Sequence, residues 1–465
     1  MGRWPLTLMF AALAIAQVRV GAVRRVESLS LADALPIITA LQEVLPDELR
    51  AKSSGLQDAD WTRWIAGEAD RTRARLARGN EDSLVNFLLF GTSFTRARRI
   101  VSGDLTAPGA PPEVALRQRT EDLLRALSHP GGDERLLFLR AILEEQAFKV
   151  SDPAQAPRLS DYISGQLKRV LSETEKYSSE LKSAVREGGA NEEFIRRSTL
   201  FQDRGIALDT SVRPDFAVEE ALQTLKAGGL LKAGSVRKAA VLGPGLDFTD
   251  KDAGYDLYPV QTTQPFALID SLVRLGLASP TEIEITALDV SPRVVDHLSR
   301  ARDRAARGTP YTLHLVRDAR APWKPEFNVY WNFLGTQVGR LVPPDKNAPE
   351  LPSLQIRSVS IRPEVVRRVQ PAELNIVTQH LVLPPADRFD LIIATNVLVY
   401  YGVFEQCLSL ANIERMLRPG GVLVSNNALL ELPDSKLHAV DDRTVVYSDR
   451  AADGDHMILF RRSTK

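Results

Sequence analysis

Residues 388–401 read RFDLIIATNVLVYY. An apolar run closes on Asn396 and resumes at once. A short apolar run of this kind reads as a buried strand, and a buried strand has no use for an amide unless its end is a special place. Four more runs resemble it. They are KAAVLGPGLDF (238–248), EIEITALDVS (282–291), ELNIVTQHLVL (373–383) and GGVLVSNNALL (420–430). Helical patterns lie between several of them, at 263–277, 292–306 and 403–421. Strand alternating with helix predicts an α/β fold, a Rossmann-like, doubly wound and mostly parallel sheet. The stretch 441–462 reads as an antiparallel pair turning at AADGD, suited to a sheet edge.

The chain before this sheet has a different character. From about residue 28 to 230 the apolar residues recur at helical spacing, as in SLADALPIITALQEVL (30–45) behind a Ser30 cap. A helix over 58–80 is expected to end at Gly79-Asn80, with a separate, more buried helix following over 81–94. SGDLTAPGAPPE (102–113) reads as a linker, and 159–189 as a long charged helix closed by a glycine pair. No catalytic motif falls in these residues. The expected organisation is an N-terminal signal or anchor over 1–22, an all-α domain over 23–213, and the Rossmann-like domain over 214–465 with an insertion around 311–370. That insertion is rich in Trp, Tyr and Phe, as recognition surfaces often are.

Bulk properties exclude several classes. Lys plus Arg and Asp plus Glu both number 59 in the 465 residues, so no net charge argues for a nucleic-acid or anionic-membrane binder. A single cysteine, Cys407, excludes an intrachain disulfide framework and any multi-cysteine zinc site. The six histidines show no metal-ligand spacing. MGRWPLTLMFAALAIAQ (1–17) has the basic, apolar, A-x-A layout of a secretory signal, which predicts export or a periplasmic location. An unused signal would leave the protein cytoplasmic. No later segment is apolar enough to span a bilayer, which takes about 20 residues.

In a doubly wound sheet, ligands bind beyond the carboxyl ends of the strands, near the switch in strand order. Gly243 and Gly245 follow the first strand, where glycine permits close backbone approach and positive φ. Asp289 ends the second, and a carboxylate there can accept both ribose hydroxyls of a nucleoside. Asp289 or Ser291 can instead cap the helix that starts at Pro292; Ser291 is the better-placed cap and leaves Asp289 for a ligand. Gln379 and His380 are read as the end of the third strand, facing an adenine edge or serving as structural residues. Asn396 ends the fourth and can donate and accept at a ligand. Tyr400 and Tyr401 follow, at least one of them as packing. No phosphate-loop lysine follows the glycines, and Asp247 stands where a third close glycine of a dinucleotide fingerprint would come.

These residues resemble a class I S-adenosylmethionine-dependent methyltransferase, and more narrowly the chemotaxis receptor (protein-glutamate) methyltransferase family. ALDVSPRVVDHLSRAR (287–302) is similar to that family's second-strand acid and following helix. Residues 379–424 are similar to its third strand, its NVLxY fourth-strand signature and its Pro-Gly-Gly turn. TTQPFALIDSLVRLG (262–276) resembles the segment that reads Glu-Glu-Pro-Tyr-Ser in the family. The likeness covers about residues 237–430. It implies S-adenosyl-L-methionine as cofactor, with Gly243 and Gly245 on its methionyl side, Gln264 beside the ligand, Asp289 on the ribose, His380 and Leu381 near the adenine, and Asn396 and Val397 contacting it from the fourth strand. Gln264 and His380 depart from the family's Glu and Asn, and LDFTDKDAGYDLYPVQT (246–262) is an insertion.

The expected activity is therefore methyl transfer to an unidentified acceptor, a protein or another oxygen- or nitrogen-bearing group, without a metal. A carboxylate acceptor needs no base. His380 and Tyr400 are the base candidates for an acceptor that carries a proton. The alternative is a degenerate methyltransferase fold acting as an exported or envelope binding module, favoured by the conflict between an export signal and a cytoplasmic methyl donor.

Overall fold

A computed structural model of the chain describes residues 25–52, 55–100, 113–187, 201–249, 256, 258–344, 353–432, 434–450 and 453–464. The signal-like start, most of the 102–113 linker and the glycine pair at 188–189 lie outside these residues.

Five parallel strands form the expected sheet. They are β2 (Lys238–Leu242), β3 (Glu284–Asp289), β7 (Val369–Glu373), β9 (Phe389–Ala394) and β10 (Leu417–Ser425). With the terminal hairpin β11 (Leu437–Val446) and β12 (Gly454–Arg462), the order across the sheet is β11-β12-β10-β9-β2-β3-β7. β12 runs antiparallel to both of its neighbours. The first strand is thus central, the next two extend to one side and the following two to the other. This order places a topological switch between β2 and β9.

Both faces of the sheet are buried, and the two-residue period of a strand sorts them. Ala239, Val241, Ile285, Ala287, Leu391 and Ile393 join one core; Ala240, Leu242, Leu288, Ile392 and Ala394 join the other. All six residues of β9 are buried. The Asp390 carboxylate accepts the backbone N–H groups of Arg237 (2.7 Å) and Lys238 (2.9 Å) and pairs with Arg418, tying β9 to both neighbours.

The second core is closed from an unexpected direction. Leu29, Ile37, Ile38, Trp61 and Trp64 of the N-terminal region pack in it beside Ile392, Phe404 and Leu408. β1 (Val26–Ser28) pairs antiparallel with β8 (Gln379–Leu381). Residues 26–64 therefore share a core with the sheet, and a separate helical core begins only near Leu84. Helix Asp58–Phe90 belongs to both cores and runs unbroken through Gly79-Asn80, where a helix end was expected. The reason is a crossing. A Cβ on Gly79 would lie 1.9 Å from the Ile206 carbonyl oxygen, so the glycine lets a returning segment touch the helix backbone and is no terminator.

One further expectation changes. The third parallel strand is β7, not the 373–383 run; Pro371 in VQPAE hides it, and its edge position tolerates that proline. The insertion forms a three-stranded antiparallel sheet of β4 (Tyr311–Asp318), β5 (Gly339–Val342) and β6 (Leu354–Ile361), in the order β4-β6-β5, with helix Pro325–Phe333 between β4 and β5.

The crossing can be tested by comparing two helical glycines. Gly79→Ala should lower the thermal midpoint, by an overpacking cost of about 1–3 kcal/mol. Gly165→Ala, on an exposed helix position with nothing within 4 Å, should raise it through the roughly 0.5–1 kcal/mol helical advantage of alanine. Equal responses of the two variants in thermal denaturation would remove the crossing as the reason for Gly79.

Candidate functional site

The carboxyl ends of β2, β3 and β9 converge on one cavity of about 100 Å³. Gly243 and Gly245 both take positive φ (61° and 64°), which turns the chain sharply after β2. The Gly243 N–H donates to the Leu288 carbonyl at 2.8 Å, pinning this turn to β3.

Asp289 stands at the tip of β3, 7% exposed, on the cavity wall. Its Oδ1 accepts the Ser291 N–H at 2.8 Å and its Oδ2 the Gly245 N–H at 3.4 Å. Ser291 occupies the N-cap position of helix Pro292–Ala306, but its hydroxyl makes no capping bond. Asp289 is therefore not wholly free for a ligand. It organises the turn while keeping lone pairs to spare, since a carboxylate accepts about four hydrogen bonds. Burial pushes its pKa up to about 6, and the backbone N–H donors oppose that rise.

Gln264 lines the cavity at the start of helix Gln264–Arg274 and donates to Thr395 Oγ at 2.7 Å. It also neighbours Asp215, a buried acid whose pKa burial raises well above its ordinary value. Asn396, just past β9, adopts a left-handed φ of 57°, which asparagine accepts more readily than most residues. Its N–H and side-chain oxygen bond the Asn426 amide at 2.8 and 2.7 Å. The amide in the opening stretch thus serves a turn as well as a cavity wall.

The cavity is roofed by the chain itself. Residues 206–210 cross it, with Leu76 of the long helix, Tyr400 and Tyr401 beside them. A Cβ on Gly245 would meet the Leu208 carbonyl oxygen at 2.6 Å, and one on Gly243 the Val397 Cγ2 at 2.6 Å. The space that both glycines open is therefore filled by the protein's own atoms. Arg75 latches the roof, donating to the carbonyls of Arg204 (3.0 Å), Phe201 (3.2 Å) and Tyr400 (2.6 Å), while its own carbonyl accepts the Ile206 N–H at 3.0 Å.

Gly243, Gly245, Gln264, Asp289, Asn396, Val397 and Tyr400 are brought together around the cavity. His380 and Leu381 are not among its lining residues. They lie in β8, where His380 faces Asn412 (Nδ1 to Oδ1 3.2 Å), its pKa lowered mainly by burial, and Leu381 is core. The parallel strand ends at Glu373, so Leu374 and Ile376 take the wall position that had been assigned to His380 and Leu381. His380 thus loses its place as a base beside the ligand. Tyr401 is buried under the Arg75 guanidinium, 5.6 Å from its ring centre. The roof residues Leu76 and 206–210 carried no motif and went unread; the Gly79 and Gly205 pair is the one local signal of their crossing. Among the described residues, no three His, Cys, Asp or Glu side chains gather as a metal site, and no helix is long and apolar enough to cross a membrane.

No family model matches the chain, and no curated protein matches it in sequence. Solved structures that the chain is similar to include TrmN from Thermus thermophilus, at 13% identity over 54% of this chain with a TM-score of 0.27. This chain spans about half of that protein, 53% of its length. A TehB-like SAM-dependent methyltransferase from Corynebacterium glutamicum matches at 12% identity over 54% of this chain and 98% of its own, with a TM-score of 0.24. Magnesium protoporphyrin IX methyltransferase (ChlM) from Synechocystis PCC 6803, with bound SAM, matches at 12% identity over 62% and 91%, with a TM-score of 0.27. Likeness this distant assigns neither family nor activity to this chain.

Arg75→Ala should release the roof. Charged hydrogen bonds of this kind contribute roughly 1.5–3 kcal/mol each. Amide exchange across 201–210 should speed up by at least tenfold while β2 and β9 stay protected. Unchanged exchange in that segment would show that the latch does not hold it.

Proposed function

We propose that the protein is an S-adenosylmethionine-dependent methyltransferase with an unidentified acceptor. The observation that carries the reading is the placement of Asp289. A carboxylate with unused lone pairs faces a cavity at the tip of the second parallel strand, beside the topological switch and the Gly243–Gly245 turn. Leu242, Leu288, Leu374 and Ile376 supply apolar wall for a base. The donor set suits a nucleoside. The enclosed volume of about 100 Å³ is below the ~300–1,000 Å³ of sites that bury a ligand of this size. Binding therefore requires the 206–210 roof to lift.

The cofactor would supply an activated methyl group whose leaving sulfur departs neutral. The chain's task is then positioning and exclusion of water. Asp289 would hold the sugar, Gln264 and Thr395 would fix the floor, and Tyr400 is the remaining phenol that can accept or relay a proton. The resemblance to the chemotaxis receptor methyltransferases rests on the sequence stretches alone, and it favours a carboxylate acceptor.

One observation favours a second reading, a methyltransferase fold that binds partners without transferring methyl groups. Val397 and Leu208 already fill the space over the two glycines. This reading also suits export, away from the methyl donor.

Titration calorimetry with S-adenosylhomocysteine separates the two. Binding should be saturable and should strengthen from pH 5 to pH 7. The sign follows from Asp289: its pKa of about 6 leaves it protonated below that value, and a protonated carboxyl cannot accept both ribose hydroxyls. Asp289→Asn should weaken binding at least tenfold and flatten the pH dependence. No heat with the wild-type protein at any pH would leave the second reading.

A further inference from the structure

A second cavity, of about 180 Å³, lies between the 311–361 insertion and the terminal hairpin. Three aromatic side chains, Trp323, Phe327 and Trp331, line it together with Val212, Val316, Ala321 and Pro322. Phe327 and Trp331 are buried, and Trp323 packs on Phe327 with ring centres 4.9 Å apart. An engineered apolar cavity of about 150 Å³ accepts a benzene ring. This space matches one ring with a substituent.

Three arginines and three aspartates line it, so the formal charges balance in number but are not matched pair by pair. Three carboxylates line it, and each has protein partners. Asp247 accepts from the Tyr258 hydroxyl (3.0 Å) and Gln261 Nε2 (2.8 Å). Asp453 pairs with Arg213 at 3.3 Å, and Asp318 with Arg320 at 3.6 Å. His314 is engaged as well, with Nδ1 3.0 Å from Ser358 Oγ and its ring stacked on Tyr258. Arg317 differs. It is partly buried, and its hydrogen-bond partners are the neutral side-chain oxygens of Asn328 and Gln355. Among the described residues it has no carboxylate in ion-pair reach. Its guanidinium lies 4.3 Å from the Trp331 ring centre, and its hydrogen bonds to the described residues use three of its five N–H groups. Arg450, an exposed residue of the same lining, likewise has no carboxylate in ion-pair reach among the described residues. The buried Trp331 indole N–H also has no hydrogen-bond partner.

Partly buried charges are normally paired, and buried N–H groups normally bonded. A fork-shaped cation and an unused indole donor on an aromatic-lined space of one-ring size lack the same thing, a planar anion. We propose that this cavity binds a single-ring aromatic carboxylate, its ring against Trp323, Phe327 and Trp331 and its carboxylate on Arg317. Thr210 lines both cavities, so the site adjoins the Asp289 cavity. The ligand's role as methyl acceptor rests on the methyltransferase reading; its binding does not.

Tryptophan fluorescence of the full chain tests this with benzoate, benzyl alcohol and benzylamine as probes. Benzoate should saturate with a Kd near or below about 1 mM, and the alcohol and the amine should bind at least tenfold more weakly. Arg317→Gln should cost benzoate at least tenfold and leave the weak binding of benzyl alcohol unchanged. The comparison of the three probes on the wild-type protein needs no variant, so it decides the matter even if Arg317→Gln fails to fold. Absence of saturation by benzoate overturns the proposal, as does equal binding of the three probes. Asp289→Asn separates the two readings: it should weaken S-adenosylhomocysteine binding at least tenfold and preserve that of benzoate. Benzoate binding in a protein that never binds S-adenosylhomocysteine keeps the site and removes the acceptor role.

Discussion

A strand covered on both faces can change from apolar to polar chemistry only at its ends, and that constraint locates the Asp289 cavity. β2 and β9 are central and buried above and below. Any functional group they carry must stand at Gly243 or beyond, or at Thr395 or beyond. The switch in strand order opens a crevice at those same points, because the chain leaves β2 toward one side of the sheet and β9 toward the other. The cavity is thus a consequence of topology, and Asp289 lines it because β3 ends level with β2.

What topology opens, the linker before the sheet closes. Residues 201–210 return from the helical region and are fixed to three structures at once. Ile206 bonds the long helix, Leu208 and Thr210 exchange backbone hydrogen bonds with Leu246, and Asn86 bonds the Asp209 carboxylate at 2.9 Å. Helix Asp58–Phe90 is the rigid element behind them, with its first half in the sheet's second core and its last turns in the helical core. The buried acid beneath the roof works against this closure once ionised. A carboxyl whose folded pKa is raised to about 6 contributes most to folding below the ordinary carboxylate value, and that contribution fades as pH climbs through 6.

The parallel sheet was legible because its strands are long apolar runs with acids, glycines or amides at their ends. Asp289 and the Gly243–Gly245 turn could be placed from those ends alone. The third strand was not legible. VQPAE is half polar and carries a proline, and the apolar run after it pairs with β1 some 350 residues earlier in the chain. His380 and Leu381 were misplaced for that reason. Gly79 misled in the opposite direction. A glycine late in a helical pattern reads as a stop, and only the tertiary crossing of Gly205 and Ile206 explains why the helix continues. Residues whose roles depend on contacts more than a hundred positions away leave little mark in local pattern, and the whole roof is of that kind.

The two cavities share one wall. Thr210 lines both, and the residues on either side of it divide between them: Leu208 and Asp209 face the Asp289 cavity, while Ser211 to Arg213 face the aromatic one. Asp247 lies on the far side of the same partition, two residues after Gly245, with its carboxylate on Tyr258 and Gln261. Lifting the roof to admit a nucleoside must break the bonds between Leu208, Thr210 and Leu246, and those bonds hold the partition. A single displacement of 206–210 would therefore enlarge the first cavity and open it toward the second. In a methyltransferase this connection is a functional requirement, because donor and acceptor must meet in line and away from water. A binding module places no such demand on the wall that the two cavities share.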